Sequence, residues 1–208
     1  MADIKLNLTN LSEDASNSDY VIFQKNISPD SGIQSVAWKV IQSLGNGSNH
    51  PFTYPQEFYV GAKDANGNYM RVIPAKKGSA YEMVNTLSGH ELRSSAVSAV
   101  NPVDVEVWNS LTKGSMDAQV YRGGSLLASK VNIAPGSKAN FQFQPVLLIG
   151  SVSQVVEGTA MNSNVTVQYL TELNLIGISV ADIIISGGGV GPESTAIKFT
   201  LVPTVLVL

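Results

Sequence analysis

Hydrophobic side chains recur at every second residue along most of this chain. That period builds half-buried strands and does not build a helical bundle. Ile4, Leu6 and Leu8 alternate with Lys5 and Asn7. Val103, Val105 and Val107 alternate with Asp104, Glu106 and Trp108, and Met116, Ala118 and Val120 with Asp117, Gln119 and Tyr121. Between such runs stand turn residues. Asn66-Gly67 is the strongest hairpin signal, and Ser88-Gly89, Gly123-Gly124 and Pro135-Gly136 follow it. With 18 Gly and 9 Pro along the chain, helical windows are scarce. Only residues 152–160 stand as a short helical candidate. Turns spaced about every ten residues are those of a sandwich or barrel. The expected fold is all-β, an antiparallel β-sandwich of jelly-roll or immunoglobulin-like type with one short helix. A single domain over 1–208 is expected, with a split near 100–103 as the alternative.

Composition then narrows the function classes. Charged residues are 14% of the chain against 44% hydrophobic, well below the roughly 25% charged of ordinary globular chains. The net charge is −3, so no basic excess exists to neutralise a phosphate backbone, and no nucleic-acid partner is expected. Cysteine is absent, which removes disulfides, thiolate zinc sites and cysteine nucleophiles. Residues 1–10 show no basic-then-apolar leader pattern, and the apolar stretches 145–152 and 173–185 are too short or too interrupted to span a bilayer as a helix. A cytoplasmic location is expected. The five Asn-x-Ser/Thr sequons, at Asn7, Asn10, Asn26, Asn46 and Asn164, then read as turn residues.

Candidate chemistry is sparse. Only His50 and His90 occur; with Glu91 they make the one set able to supply a two-histidine, one-carboxylate iron site. Each histidine stands in a turn-like context, and no HxD or HxxE spacing links them, so no metal and no cofactor are expected. Asp64-x-Asn66-x-Asn68 resembles the start of a calcium loop, but Tyr69 and Ala75 stand where Gly and Glu are required; a hairpin turn is the simpler reading. The run Gly187-Gly188-Gly189 lacks the lysine and following helix of a phosphate loop and reads as a mobile loop able to approach a ligand or a neighbouring subunit. Ser179, in Gly177-Ile-Ser-Val-Ala181, lacks the nucleophile-elbow spacing. Phe52, Tyr54, Phe58 and Tyr59 cluster around Pro51 and Pro55 and are the candidate binding aromatics.

Several segments carry a resemblance: residues 21–26, Ala37-Trp-Lys-Val-Ile41, Asn49-His-Pro-Phe-Thr-Tyr-Pro55, residues 67–69, 149–155 and 161–163, and Ala181-Asp-Ile-Ile-Ile-Ser-Gly-Gly-Gly189 with Gly191-Pro192. Together they resemble an uncharacterised microbial family of β-rich proteins of similar length, often labelled as aromatic-ring-opening dioxygenases. The likeness runs over nearly the whole chain. It implies a shared fold and little about activity.

The expected function follows from the charge-poor second half. From residue 139 onward the only charges are Glu157, Glu172, Asp182, Glu193 and Lys198. Exposed sheet edges are normally protected by charge, so this segment must be covered, by its own fold or by another chain. The expected protein is a non-catalytic, structural or self-assembling one whose partner is itself, as homo-oligomer or filament. Ile197, Phe199, Leu201, Val205, Leu206, Val207 and Leu208 are the candidate self-association residues. Pro203 lacks a backbone donor and places this last strand at a sheet edge. A carbohydrate- or ligand-binding module, or a membrane-active pore-forming-type sandwich, is the alternative. A non-haem metal dioxygenase is the third reading.

Overall fold

A computed structural model describes residues 2–14 and 18–206. Strands make up 58% of it and helix 1%, as the period-two pattern requires. The seventeen strands, numbered along the chain, fall into two compact units. The first comprises residues 1–24, 37–56 and 145–208; the second comprises 25–36 and 57–144. Residues 100–103 lie inside the second unit, in the turns before its strand 105–109.

The first unit holds β1 (Ile4–Asn10), β2 (Asp19–Phe23), β4 (Lys39–Ile41), β5 (Asn49–Tyr54), β14 (Val146–Val152), β15 (Gln168–Asn174), β16 (Ile178–Gly188) and β17 (Thr195–Leu206). They form two four-stranded sheets, in the orders β17-β16-β1-β5 and β15-β14-β2-β4. β1 and β16 run parallel, from Lys5 opposite Val180 to Asn10 opposite Ile185, and the other pairings are antiparallel. The inward residues Leu6, Leu8, Tyr20, Ile22, Leu147, Ile149, Ile183 and Ile185 are buried. Trp38 packs edge-on against Phe52 and Tyr54, at 6.4 and 5.9 Å between ring centroids.

β2 and β14 do not alternate because both their faces are covered. The outer residues Val21, Phe23, Leu148 and Val152 form a second cluster with Ala37 and Val155, capped by Met161, Val165 and Val167. The covering segment approaches so closely that a Cβ at Gly150 would collide with a Val167 methyl. One expectation changes here. The helix expected over 152–160 does not form: Val152 ends β14 and residues 153–160 are an irregular cover, with positive φ at Gln154 and Gly158. β15 starts only at Gln168, because Val165 and Val167 belong to that cover. The one helical turn of the described residues is a 3-10 turn at Gly191–Glu193.

The second unit holds β3 (Gln34–Ser35), β6 (Phe58–Asp64), β7 (Ile73–Ala75), β8 (Ser79–Thr86), β9 (Gly89–Ser98), β10 (Val105–Asn109), β11 (Met116–Arg122), β12 (Ser125–Ile133) and β13 (Lys138–Phe141). Its sheets are β13-β10-β8-β9 and β3-β12-β11-β6-β7. β8 and β10 are parallel neighbours. The Asn66-Gly67 turn forms as read, with the Gly67 N–H donating to the Asp64 carbonyl at 3.0 Å. The short excursion before β3 is anchored by Asp30, whose carboxylate accepts from Lys130 Nζ at 2.7 Å and from the Asn140 N–H at 3.0 Å.

Candidate functional site

β17 is the outermost strand of its sheet. One of its edges bonds to β16, and no strand of the described residues occupies the other. It is 12 residues long and carries one charge, Lys198. Exposed edges in soluble proteins are ordinarily short, charged or covered. β9 shows the ordinary device: this 10-residue edge strand bears His90, Glu91 and Arg93. Arg93 donates from Nε and Nη2 to Glu82 Oε1 on β8 at 3.1 and 3.0 Å.

The inner face of β17 belongs to its own fold. Phe199 is 3% exposed and meets the Tyr20 ring edge-on at 5.8 Å; Ile197 and Leu201 are half-buried. Val202, Val205 and Leu206 remain 44%, 48% and 63% exposed. β15, the edge strand of the companion sheet, runs close to β17 and exposes Tyr169 and Leu170. β15 also carries the exposed Gln168, Glu172 and Asn174, so its edge is mixed where that of β17 is apolar. Pro203 stands on the edge strand, where its missing N–H is tolerated. Val207 and Leu208 lie outside the described residues.

A second focus lies in the other unit. His90, on β9, places Nδ1 3.1 Å from Oδ2 of Asp64 at the end of β6. Asp64 is 5% exposed, and its carboxylate also accepts from the N–H groups of Asn66 and Asn68 and from Asn68 Nδ2, each at 2.9 Å. The Asn68 amide, then the Asn68 N–H, outweigh burial, and with the Asn66 N–H and His90 they hold this carboxyl down at about 2. The Asp64-x-Asn66-x-Asn68 turn thus uses its carboxylate to fix its own backbone. Three hollows converge on His90, of about 410, 380 and 330 Å³.

The remaining candidate residues divide between the two units. His50 sits on β5 opposite Leu8 of β1, in the first unit, in a strand rather than in the turn expected of Asn49-His50-Pro51. His90 and Glu91 belong to the second unit, also in a strand. No group of three or more His, Asp or Glu able to hold a metal occurs among the described residues. Phe52 and Tyr54 are buried against Trp38, and Tyr54 Oη accepts from Gln24 Nε2 at 3.0 Å. Phe58 is buried under the Arg122 guanidinium at 5.7 Å; Tyr59 is half-exposed and donates to Glu57 Oε2 at 3.4 Å. Phe52 and Tyr54 thus belong to the first unit and Phe58 and Tyr59 to the second, and three of the four are buried.

Gly187 and Gly188 end β16 rather than forming a loop. Their close approach is to this chain itself. The Glu13 N–H donates to the Gly187 carbonyl at 2.8 Å, and the Gly189 N–H to the Glu13 carbonyl at 3.2 Å. Ser179 is spent on β17, donating from Oγ to the Val205 carbonyl at 3.2 Å.

Sequence reasoning missed the pairing of two carboxyls, Asp104 and Glu106, which are 4% and 2% exposed. Burial pushes up both; in Asp104 the neighbouring Glu106 charge adds to that rise. In Glu106 the hydrogen bonds from Lys138 Nζ (2.7 Å), the Val100 N–H (3.0 Å) and Trp108 Nε1 (2.9 Å) win and hold it down. Lys138 also sits 4.8 Å from the Trp108 ring centre. This cluster ties β10 to β13.

No family model, no curated protein and no solved structure matches this chain. No helix of the described residues is long and apolar enough to cross a membrane.

Proposed function

We propose that this is a structural, self-associating β protein whose copies join edge to edge through β17. The observation that carries the reading is the free edge of β17: twelve residues, one charge, three exposed apolar side chains. An extended segment adds to such an edge through main-chain hydrogen bonds. A second copy suits it better than a charged partner, because one lysine offers almost no electrostatic selection. Antiparallel pairing of two β17 strands about a two-fold axis is self-complementary. Centred on Thr200 or Leu201, it sets Lys198 opposite Val202 or Thr204, so the single charge never meets its own copy. Tyr169 and Leu170 of the adjoining β15 edge extend the apolar surface.

The test is the mass in dilute buffer of the full chain and of a Thr200→Lys/Val202→Lys variant. Both residues are exposed on β17, so the variant leaves the core intact. An assembly in the parent and a folded monomer in the variant support the reading. A monomeric parent overturns it.

A further inference from the structure

The three hollows around His90 differ in charge, and that difference selects one of them. The hollow of about 380 Å³ is lined by Arg71 but also by Glu91, which offsets it. The hollow of about 330 Å³ is lined by Asp64 and by no lysine or arginine. The hollow of about 410 Å³ is lined by Lys113 and no acid. Its other polar side chains are Asn66, Asn85, Thr112 and Ser115. They come from the β6–β7 turn, the end of β8 and the loop between β10 and β11.

We propose that this hollow binds a small oxyanion, the carboxylate or phosphate group of a ligand, between Lys113 and His90. Lys113, like Lys25, Arg71, Lys76 and Lys77 of the same unit, makes no ion pair among the described residues, so no carboxylate neutralises its ammonium. The Asn66 side chain and the Ser115 hydroxyl make no hydrogen bond among the described residues, so donors stand ready on two sides. Asn85 Nδ2 donates to Thr112 Oγ1 at 3.4 Å, which leaves the threonine hydroxyl proton for a ligand. Asp64 occupies His90 Nδ1 and turns the ring so that Nε2 is the nitrogen left for a ligand. The four donors already on Asp64 spread its charge and lessen its repulsion of an anion. Lys113 supplies the point charge and the amides and hydroxyls supply direction. The site belongs to the second unit and β17 to the first, and its test has a readout separate from self-association.

The experiment is a titration of the full chain with inorganic phosphate and, separately, with acetate, at ionic strength held constant with chloride. Amide chemical shifts are read in the parent and in Lys113→Ala, His90→Gln and Arg71→Ala variants. Saturable shifts confined to residues 65–66, 85, 90 and 111–115 are expected with at least one probe. Binding should weaken about tenfold or more in Lys113→Ala and in His90→Gln, and stay within twofold in Arg71→Ala. The probe that saturates identifies the carboxylate or phosphate source. Shifts that never saturate with either probe would overturn the proposal. So would equal binding in Lys113→Ala, or an equal loss in Arg71→Ala, which would reveal only diffuse surface attraction. Retained parent-like amide spectra in each variant separate lost binding from lost folding.

Discussion

The Phe199 ring stands edge-on to Tyr20, with centroids 5.8 Å apart and planes at 84°. This contact joins the edge strand β17 to the companion sheet. It means that one strand has two jobs: its inner face closes the core, and its outer edge stays unpaired. Aromatic pairs in this geometry contribute about 0.5–1.5 kcal/mol beyond burial.

Phe199→Ala should therefore destabilise the fold by about 3–5 kcal/mol, the usual cost of emptying a phenylalanine site in a core. Urea denaturation followed by fluorescence would measure it. A change below about 1 kcal/mol would mean that β17 is not part of the core.

Gly187→Ala should cost at least about 2 kcal/mol. The residue has φ of +88°, and a Cβ there would collide with the Ala196 carbonyl oxygen. Gly47→Ala is the control: its φ is also positive, but a Cβ there meets nothing within 4 Å. Comparing thermal midpoints of the two variants isolates the collision. Equal losses would contradict the close packing of the β16–β17 junction.

Asp64 sets an acid limit. Its carboxyl titrates at about 2 in the folded chain against an ordinary 3.8. The unfolded chain then binds more protons between those values, so the stabilisation is complete above the ordinary value and is lost as pH falls through about 2. Asp64→Asn should be less stable than the parent near neutral pH, with the gap closing in strong acid. Urea midpoints of both proteins across that range check it. A pH-independent gap would show that the carboxylate's charge contributes nothing.

The strands that alternate cleanly, such as β1 and β11, are legible directly because one face is buried and the other wet. β2 and β14 carry near-continuous apolar runs that give no sign of which face is inner, because the 153–167 segment covers the outer one. His50 reads as a turn residue because Pro51 follows it. The strand survives because β5 lies at a sheet edge, where an absent N–H costs no ladder bond. The division into two units is hidden along the chain because each unit is assembled from separate stretches, with crossings near 24, 36, 56 and 144. The contact between Asp64 and His90 was also hidden. Both residues belong to convincing local turns, and only the approach of β6 to β9 brings their side chains together.

The exposed edge should respond to charge without loss of fold. Val202→Lys adds a second cation to β17 at a residue 44% exposed. Its stability should stay within about 0.5 kcal/mol of the parent, while self-association weakens. Sedimentation velocity paired with urea denaturation distinguishes the two effects. Unchanged association would move the interface away from β17.

The central claim is most directly tested by the mass of the full chain, measured by light scattering coupled to size exclusion at tens of micromolar. A mass of twice the 22.1 kDa chain or more, falling toward one chain on dilution or on the Thr200→Lys/Val202→Lys change, is the result predicted. A constant 22.1 kDa at every concentration would contradict self-association through β17.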